Sequence, residues 1–87
     1  MNQDKIKICD IGAYLLKLRK ELKWSRDYVA RRASVTTRTI YNFELGKHTP
    51  RIQILARISA VYDMNLIELW QSADLYYHAL SGAGQNN

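Results

Sequence analysis

Apolar residues recur at helical spacing through most of the 87-residue chain. The first run follows Asp10 and places Ile11, Leu15 and Leu18 on one side of a helix, because residues three or four apart share a helical face. Regular alternation of apolar and polar residues, which is typical of strands, appears nowhere in the sequence. The pattern therefore predicts an all-α fold, in which Asp10 stands at the N-cap position of the first helix.

Capping and breaking residues separate the later helices. Ser25 and Thr36 have the side chains that cap helix N-termini, and each precedes an apolar run. Gly46 is expected to end the third helix, and Pro50 precedes the fourth. A fifth apolar run begins at Leu66 and continues to Leu80, so the fifth helix is expected to be the longest. We expect a compact bundle of five helices with short loops.

The sequence predicts one domain with two short flanks. Residues 1–9 are polar and basic and suggest a flexible arm, and residues 10–80 contain the five predicted helices. Residues 81–87 are small and polar, so a disordered tail is expected there. A chain of this length leaves no room for a second domain.

Charge is distributed unevenly along the chain. Residues 1–57 hold all 13 Lys and Arg side chains against five acids, a net charge of +8. Residues 58–87 hold three acids and no cation, a net charge of −3. The first part therefore suits a polyanionic partner, whereas the last part does not.

Several function classes are disfavoured by composition. The single Cys9 cannot form a disulfide within the chain and fits a reduced, cytoplasmic setting. His48 and His78 lack the clustered partners of a zinc site, so no metal is expected. There is no glycine-rich phosphate loop, nucleophile motif or apolar run long enough for a membrane span. We expect no enzyme activity, cofactor, small-molecule ligand or membrane association.

The stretch 25–46 has the layout of a helix-turn-helix. Ala30 is small enough for two helices to cross closely, and the apolar Val35 lies at the corner between them. Ile40 and Phe43 occupy the inward positions of the following helix. In this motif the second helix enters the major groove of DNA.

An ordered set of residues then carries a family resemblance. Its members are Leu18-Arg19, Ser25, Val29-Ala30, Val35-Thr36, Thr39-Ile40, Phe43-Glu44, Gly46-Lys47, Pro50, Leu55, Leu66 and Leu69. With these residues, the segment 11–70 resembles the Xre/Cro-repressor-like helix-turn-helix family, which has the fold of the lambdoid phage repressors. The resemblance implies a phage-repressor-like DNA-binding domain.

Two positions depart from the family pattern. Arg26 stands at the start of helix 2, where many members have a glutamine that bonds a phosphate; an arginine can make that contact with a full charge. Ser34 stands in the turn, where the family usually has glycine. If this residue adopts a positive φ, serine adds strain of about 1 kcal/mol.

The resemblance also implies which residues contact bases. Thr37 and Arg38 open the recognition helix, and Asn42 lies one turn later. Arginine can bind guanine through two hydrogen bonds, asparagine can bind adenine in the same way, and the threonine methyl can contact thymine. The alternative is that Arg38 and Asn42 are solvated side chains on the helix surface.

Other positions are implied as contacts to the DNA backbone. These phosphate candidates are Arg26, Thr36, Thr39, Tyr41, Lys47 and His48. Alternatively, Tyr41 packs on the domain and His48 is an exposed loop residue. In similar repressors an arginine of helix 1 pairs with the glutamate that ends helix 3, so the resemblance implies an ion pair between Arg19 and Glu44.

The acidic last third is richer in apolar side chains than a small monomer needs. Leu66, Leu69 and Trp70 are expected to face the core. Apolar side chains of this segment are also expected to form the interface of a symmetric dimer built on helix 5. The residues expected at this interface are Ile54, Val61, Ile67, Trp70, Leu75 and Tyr76. The alternative is a long helix that folds back on its own core.

Two functional hypotheses follow. The first is a transcriptional regulator that binds double-stranded DNA, as a homodimeric repressor that reads an inverted repeat through helix 3. The second is an antitoxin-type protein, whose apolar C-terminal helix binds a partner protein while DNA binding serves autoregulation. Both hypotheses use the same helix-turn-helix.

Overall fold

The computed structural model describes residues 7–85 of the chain, together with the side chains of residues 7–80 other than Cys9. Five helices form in these residues, and no strand does, which confirms the predicted all-α fold. Their bounds are α1 Ile8–Glu21, α2 Arg26–Ala33, α3 Thr37–Glu44, α4 Ile52–Val61 and α5 Leu66–Gln85. Residues 1–6 of the expected arm and residues 86 and 87 of the expected tail lie outside the described residues.

Helix α1 begins at Ile8, three residues before the start that an N-cap at Asp10 predicts. Asp10 lies in its first turn, where the carboxylate Oδ2 accepts a hydrogen bond of 2.7 Å from the backbone N–H of Lys7. A carboxylate at this position satisfies a backbone donor and complements the positive end of the helix. Asp10 therefore stabilises the helix start from within the first turn rather than from the N-cap.

The first four helices end in the same way, with one residue in the left-handed region. At the end of α3 this residue is Gly46, with φ 74°, as the sequence predicted. At the ends of α1, α2 and α4 it is Lys23, Ser34 and Asp63, with φ between 58° and 62°. Only glycine adopts this conformation without steric cost. At three helix ends the chain therefore adopts a left-handed conformation that the side chain disfavours.

Helix α5 is longer than the sequence suggested. A disordered tail was expected from residue 81, but the backbone stays helical to Gln85. No proline interrupts this segment, and adding a residue to an existing helix avoids the cost of nucleation. The expected boundary of the tail therefore lies too early in the chain.

The core is formed where α1, α2 and α3 meet and is closed by α4 and α5. Gly12 of α1 lies so close to α3 that a Cβ atom there would overlap the backbone carbonyl oxygen of Phe43. The small Ala30 and Ala33 of α2 are almost fully buried, which allows the close crossing that the sequence suggested. The buried apolar residues are Ile11, Leu15, Val29, Ala30, Ala33, Ile40, Phe43, Leu55, Ile58, Leu69 and Ala73.

Aromatic side chains join helices outside this core. The ring centroid of Trp24 lies 4.9 Å from that of Tyr28 and 5.4 Å from that of Tyr62, so Trp24 connects the α1–α2 loop to the end of α4. Burial raises the pKa of Tyr62 well above its ordinary value, and the nearby Glu44 carboxylate adds to the rise. Tyr14 and Tyr76 hold α5 against α1, with centroids 5.4 Å apart.

Candidate nucleic-acid interface

A tight turn between α2 and α3 sets the direction of α3. Ser34 has φ 58° and ψ 47°, and the N–H of Val35 donates 2.9 Å back to the carbonyl oxygen of Ala30. The hydroxyl of Thr36 then caps α3 by accepting a 3.1 Å hydrogen bond from the N–H of Thr39. Ser34 therefore has the positive φ at which serine was expected to add strain. It lies in the turn before α3, the helix that is expected to contact DNA.

Arg57 of α4 supports this turn from outside. Its Nε donates 2.9 Å to the carbonyl oxygen of Ala33, and one Nη donates 3.2 Å to that of Ser34. These are carbonyl groups at the end of α2, where no further turn of helix can satisfy them. This role was not predicted, because its only signal in the sequence is that Arg57 is the one charged residue of α4.

A buried ion pair connects α1 to the end of α3. Arg19 Nε lies 2.7 Å from Glu44 Oε2, and an Nη of Arg19 donates 3.1 Å to Oε1. The side chains are 9% and 2% exposed, and the hydrogen bond to Glu44 raises the pKa of Arg19. The other Nη of Arg19 donates 2.8 Å to the carbonyl oxygen of Trp24. This pair is the one that the family resemblance implied.

The same carboxylate binds a second arginine. Arg26 Nε, on the first residue of α2, donates 2.8 Å to Glu44 Oε1. Glu44 thus connects α1, α2 and α3, and it carries one negative charge between two positive ones. Arg26 was expected to contact phosphate only, and its pairing with Glu44 was not predicted. Among the described residues, its Nε alone is hydrogen-bonded to protein, so the Nη groups can still donate outward.

The three expected base-contacting residues lie along α3 with different exposure. Arg38 is exposed, and within the described residues it takes part in no ion pair. Thr37 is also exposed, and its hydroxyl donates 3.4 Å to Asp27 Oδ1, while the other carboxylate oxygen of Asp27 pairs with Arg31. Asn42 is half-buried. Arg38 and Thr37 are thus the side chains most available to a base edge.

The expected phosphate contacts do not form one uniform row. Thr36 and Thr39 are joined to each other through their hydroxyls, 3.0 Å apart, at the start of α3. The ring of Tyr41 is 40% exposed, and cations of Arg26 and Lys47 lie against it. Tyr41 therefore does pack within the domain, but against cations and at the surface. Hydroxyls at one end of α3 and cations at the other could both meet a DNA backbone.

His48 and Ile54 lie together in a small groove beside the turn. The groove has a volume of about 220 Å³, and its lining also includes Val35, Thr39 and Arg51. Ile54 was expected at a dimer interface on the last third of the chain. The structure instead places it next to the helix-turn-helix and partly buried against the core. His48 is exposed, as expected for a loop residue.

The other expected interface residues divide into two groups. Val61 is partly buried against the core, and Tyr76 is half-buried against Tyr14. Ile67, Trp70 and Leu75 are exposed by 68%, 42% and 72%. Trp70 is therefore not a core residue. Its neighbour Leu69, which was also expected in the core, is 1% exposed.

Ile67 also borders a wider groove between α4 and α5. This groove has a volume of about 800 Å³, and its lining is mostly apolar. The lining residues are Ala56, Ala60, Asp63, Met64, Asn65, Leu66, Ile67 and Glu68. Apart from Ala56, the groove lining and the apolar side chains of α5 lie in residues 58–87, which lack cations.

The described residues contain neither a membrane-spanning helix nor a cluster of metal ligands. None of their helices has the length and hydropathy needed to cross a bilayer. Within the same residues, no group of three or more histidine, cysteine or acidic side chains could hold a metal ion.

Comparisons with known proteins agree with the helix-turn-helix geometry. Searches of curated proteins and of solved structures give no significant match. A helix-turn-helix family model matches residues 15–69, from the middle of α1 to the first turn of α5. The match covers more than half of the chain and includes the turn, α3 and both partners of the buried ion pair. The chain belongs to the Xre/Cro-like helix-turn-helix family of DNA-binding transcription regulators.

Proposed function

We propose that the protein is a dimeric repressor that reads an inverted repeat through α3. Two copies related by a twofold axis would place their α3 helices about 34 Å apart, one turn of B-DNA. The half-sites would then be separated by about 10–11 bp. Occupying such an operator would block transcription without a sensing domain, by excluding polymerase.

The observation that carries this proposal is the exposed pair Thr37 and Arg38 on α3. Arg38 has no ion-pair partner among the described residues, so no protein contact has to break before it binds guanine. Glu44 holds the far end of α3 to α1 and α2, which keeps the helix rigid. Fixed position and free donors are the two requirements of direct readout in the major groove.

Dimerisation through α5 is supported by exposure and by charge. Ile67 and Leu75 are the most exposed large apolar side chains of that helix. The cations of the chain all precede residue 58, so DNA attracts the other end of the protein. A self-complementary apolar patch on α5 would therefore stay available for a second copy while α3 binds.

The test begins with selection from a random duplex library at physiological salt. We expect enrichment of an inverted repeat. On the enriched duplex, Arg38→Ala should weaken binding by about 1–3 kcal/mol and relax the preference at one base pair. Arg32→Ala removes the same charge from an exposed position of α2 and is the matched control. It should leave the base preference unchanged, whatever it does to overall affinity.

Two results would contradict the proposal in different places. If Arg38→Ala keeps both affinity and base preference, α3 does not read bases through this residue. If the enriched site is a single half-site and sedimentation gives a monomer on it, the dimer is wrong while DNA binding stands.

A second candidate function is an antitoxin-type protein, and the groove between α4 and α5 favours it. The groove and the exposed Ile67 give a partner protein an apolar surface that does not overlap α3. A stable complex with a protein encoded by the neighbouring gene, lost in Ile67→Ser and kept in Arg38→Ala, would support this candidate over a homodimer.

A further inference from the structure

Two cations from different elements meet on one aromatic ring. The guanidinium of Arg26, on the first residue of α2, lies 5.0 Å from the ring centroid of Tyr41 in α3. The ammonium of Lys47, just after α3, lies 5.3 Å from the same centroid. Both cations are therefore within the distance at which an aromatic ring attracts a positive charge, and both lie near the same ring.

Both cations are placed by the backbone and the buried network. The Glu44 carboxylate accepts a hydrogen bond from Arg26 Nε. The two Nη groups of Arg26 make no hydrogen bond within the described residues. Gly46, with φ 74°, turns the chain so that the N–H of Lys47 donates 2.8 Å to the carbonyl oxygen of Asn42. In the described part of the chain, no carboxylate lies within ion-pair distance of the Lys47 ammonium.

Two positive charges held near the same ring repel each other, so this arrangement needs something to offset the repulsion. The negative charge of the Tyr41 ring faces attracts each of the two cations. Two neighbouring cations with free donors are in turn the arrangement that attracts a phosphate group. The ring, by contrast, offers DNA only a single hydroxyl.

We infer that Tyr41 is a positioning residue whose ring holds Arg26 and Lys47 together as one clamp for the DNA backbone. The inference rests on the proposed DNA binding and adds that the ring, not the hydroxyl, is what matters. Cations that are already ordered lose less freedom on binding, so the ring raises affinity without contacting DNA. Because phosphates carry no sequence information, its effect is the same on every duplex.

The experiment measures equilibrium binding to the selected operator and to a scrambled duplex of equal length. Tyr41→Phe keeps the ring and should bind both duplexes within about two-fold of the unmodified protein. Tyr41→Leu removes the ring and should bind both about five-fold more weakly. Tyr28→Leu is the matched control, because Tyr28 also carries one arginine, Arg32, at 5.2 Å from its ring but none from a second helix. Thermal unfolding of each variant separates loss of fold from loss of binding.

A double-mutant cycle with Lys47 separates positioning from independent effects. Lys47→Gln should weaken binding to both duplexes and lower the salt slope by about one. Tyr41→Leu should cost less in the Lys47→Gln background than in the unmodified protein, because only one cation then remains to be positioned. This coupling would be absent if Tyr41 acted only through the stability of the domain.

Several outcomes overturn the inference. If Tyr41→Phe binds as weakly as Tyr41→Leu, the hydroxyl contacts DNA directly. If the effects of Tyr41→Leu and Lys47→Gln are simply additive, the ring does not position Lys47. If Tyr41→Leu binds as tightly as the unmodified protein, the clamp does not contribute. If the unmodified protein binds no duplex at all, the proposed function itself fails, which is a distinct result.

Discussion

The helix-turn-helix region and the last third of the chain use polar and apolar side chains in opposite ways. In α1–α3, the charged Arg19 and Glu44 are buried together, and the unpaired Arg38 is exposed. In α5, the charged side chains lie at the surface, and the apolar Ile67 and Leu75 are exposed with them. Buried charge holds the first region in one geometry, whereas the second region leaves apolar side chains in solvent.

The two regions also differ in net charge. The cations precede residue 58, and the residues after it carry only acids. A polyanion is therefore attracted by the charges of residues 1–57 and repelled by those of residues 58–87. An apolar contact on α5 can then form without competing with DNA for the same surface.

The comparison predicts the largest loss of stability where charge is buried. Glu44→Ala would leave the buried Arg19 with the Trp24 carbonyl but without a carboxylate to balance its charge, and Arg26 without its hydrogen bond. Removing one member of a buried pair costs about 3–5 kcal/mol. We expect a loss of this size in the free energy of unfolding, measured by urea titration.

The control is a glutamate in the same region that is not buried. Glu21→Ala removes an exposed carboxylate that pairs with Lys17 across one helical turn, a contact worth less than about 1 kcal/mol. The double variant Arg19→Met with Glu44→Met should recover part of the loss, since no buried charge is then left without a partner. If Glu44→Ala costs no more than Glu21→Ala, the network does not hold these helices together.

The next prediction concerns the close approach of α1 and α3. A Cβ at Gly12 would overlap the carbonyl oxygen of Phe43 and lie 3.2 Å from its ring. Backbone cannot move aside as a flexible side chain can, so Gly12→Ala should destabilise the domain by about 2–3 kcal/mol. Ala13→Gly is the control, because Ala13 is the exposed neighbour in the same helix. It should cost only about 1 kcal/mol, through helix propensity. Equal losses in the two variants would mean that α1 shifts to make room.

A smaller effect of opposite sign is expected at the strained helix ends, which occur in both regions. Ser34 and Asp63 have φ 58° and 62° without being glycine. Ser34→Gly and Asp63→Gly should each stabilise the domain by about 0.5–1 kcal/mol, because relief of strain exceeds the added freedom of the unfolded chain. Ser34→Ala keeps the strain and should change the midpoint of thermal unfolding much less. If Ser34→Gly and Ser34→Ala shift the midpoint of thermal unfolding equally, left-handed strain at Ser34 does not destabilise the domain.

The local features of this fold could be read from the sequence because they depend on neighbours in the chain. Ser25, Thr36 and Gly46 each mark a helix end through a residue type with one dominant local role. The match of the family model to residues 15–69 confirmed the resemblance that those same positions carried. The strain at Ser34 was also anticipated, because glycine is the usual residue in that turn.

The features that were missed depend on distances between helices. Nothing in the spacing of Arg26 and Glu44 indicates that the carboxylate binds a second arginine as well as Arg19. Arg57 reaches the end of α2 from 24 residues away in the chain. Gly12 looks like a weak point of a helix until the position of Phe43 is known. Likewise, the excess of apolar side chains suggested Ile54 as a dimer-interface residue, but the structure places it in the groove beside the turn.

The smallest expected change in folding comes from the exposed apolar side of α5, and it tests the comparison most directly. Ile67→Ser and Leu75→Ser should change the unfolding free energy of the monomer by less than about 0.5 kcal/mol, because both side chains already lie in solvent. Leu69→Ser, in the same helix but 1% exposed, should cost about 3 kcal/mol or more. Sedimentation equilibrium should show weaker self-association for the two surface variants. If instead Ile67→Ser or Leu75→Ser destabilises a dilute, monomeric sample as much as Leu69→Ser does, α5 packs against its own domain in solution, and the contrast between the two regions disappears.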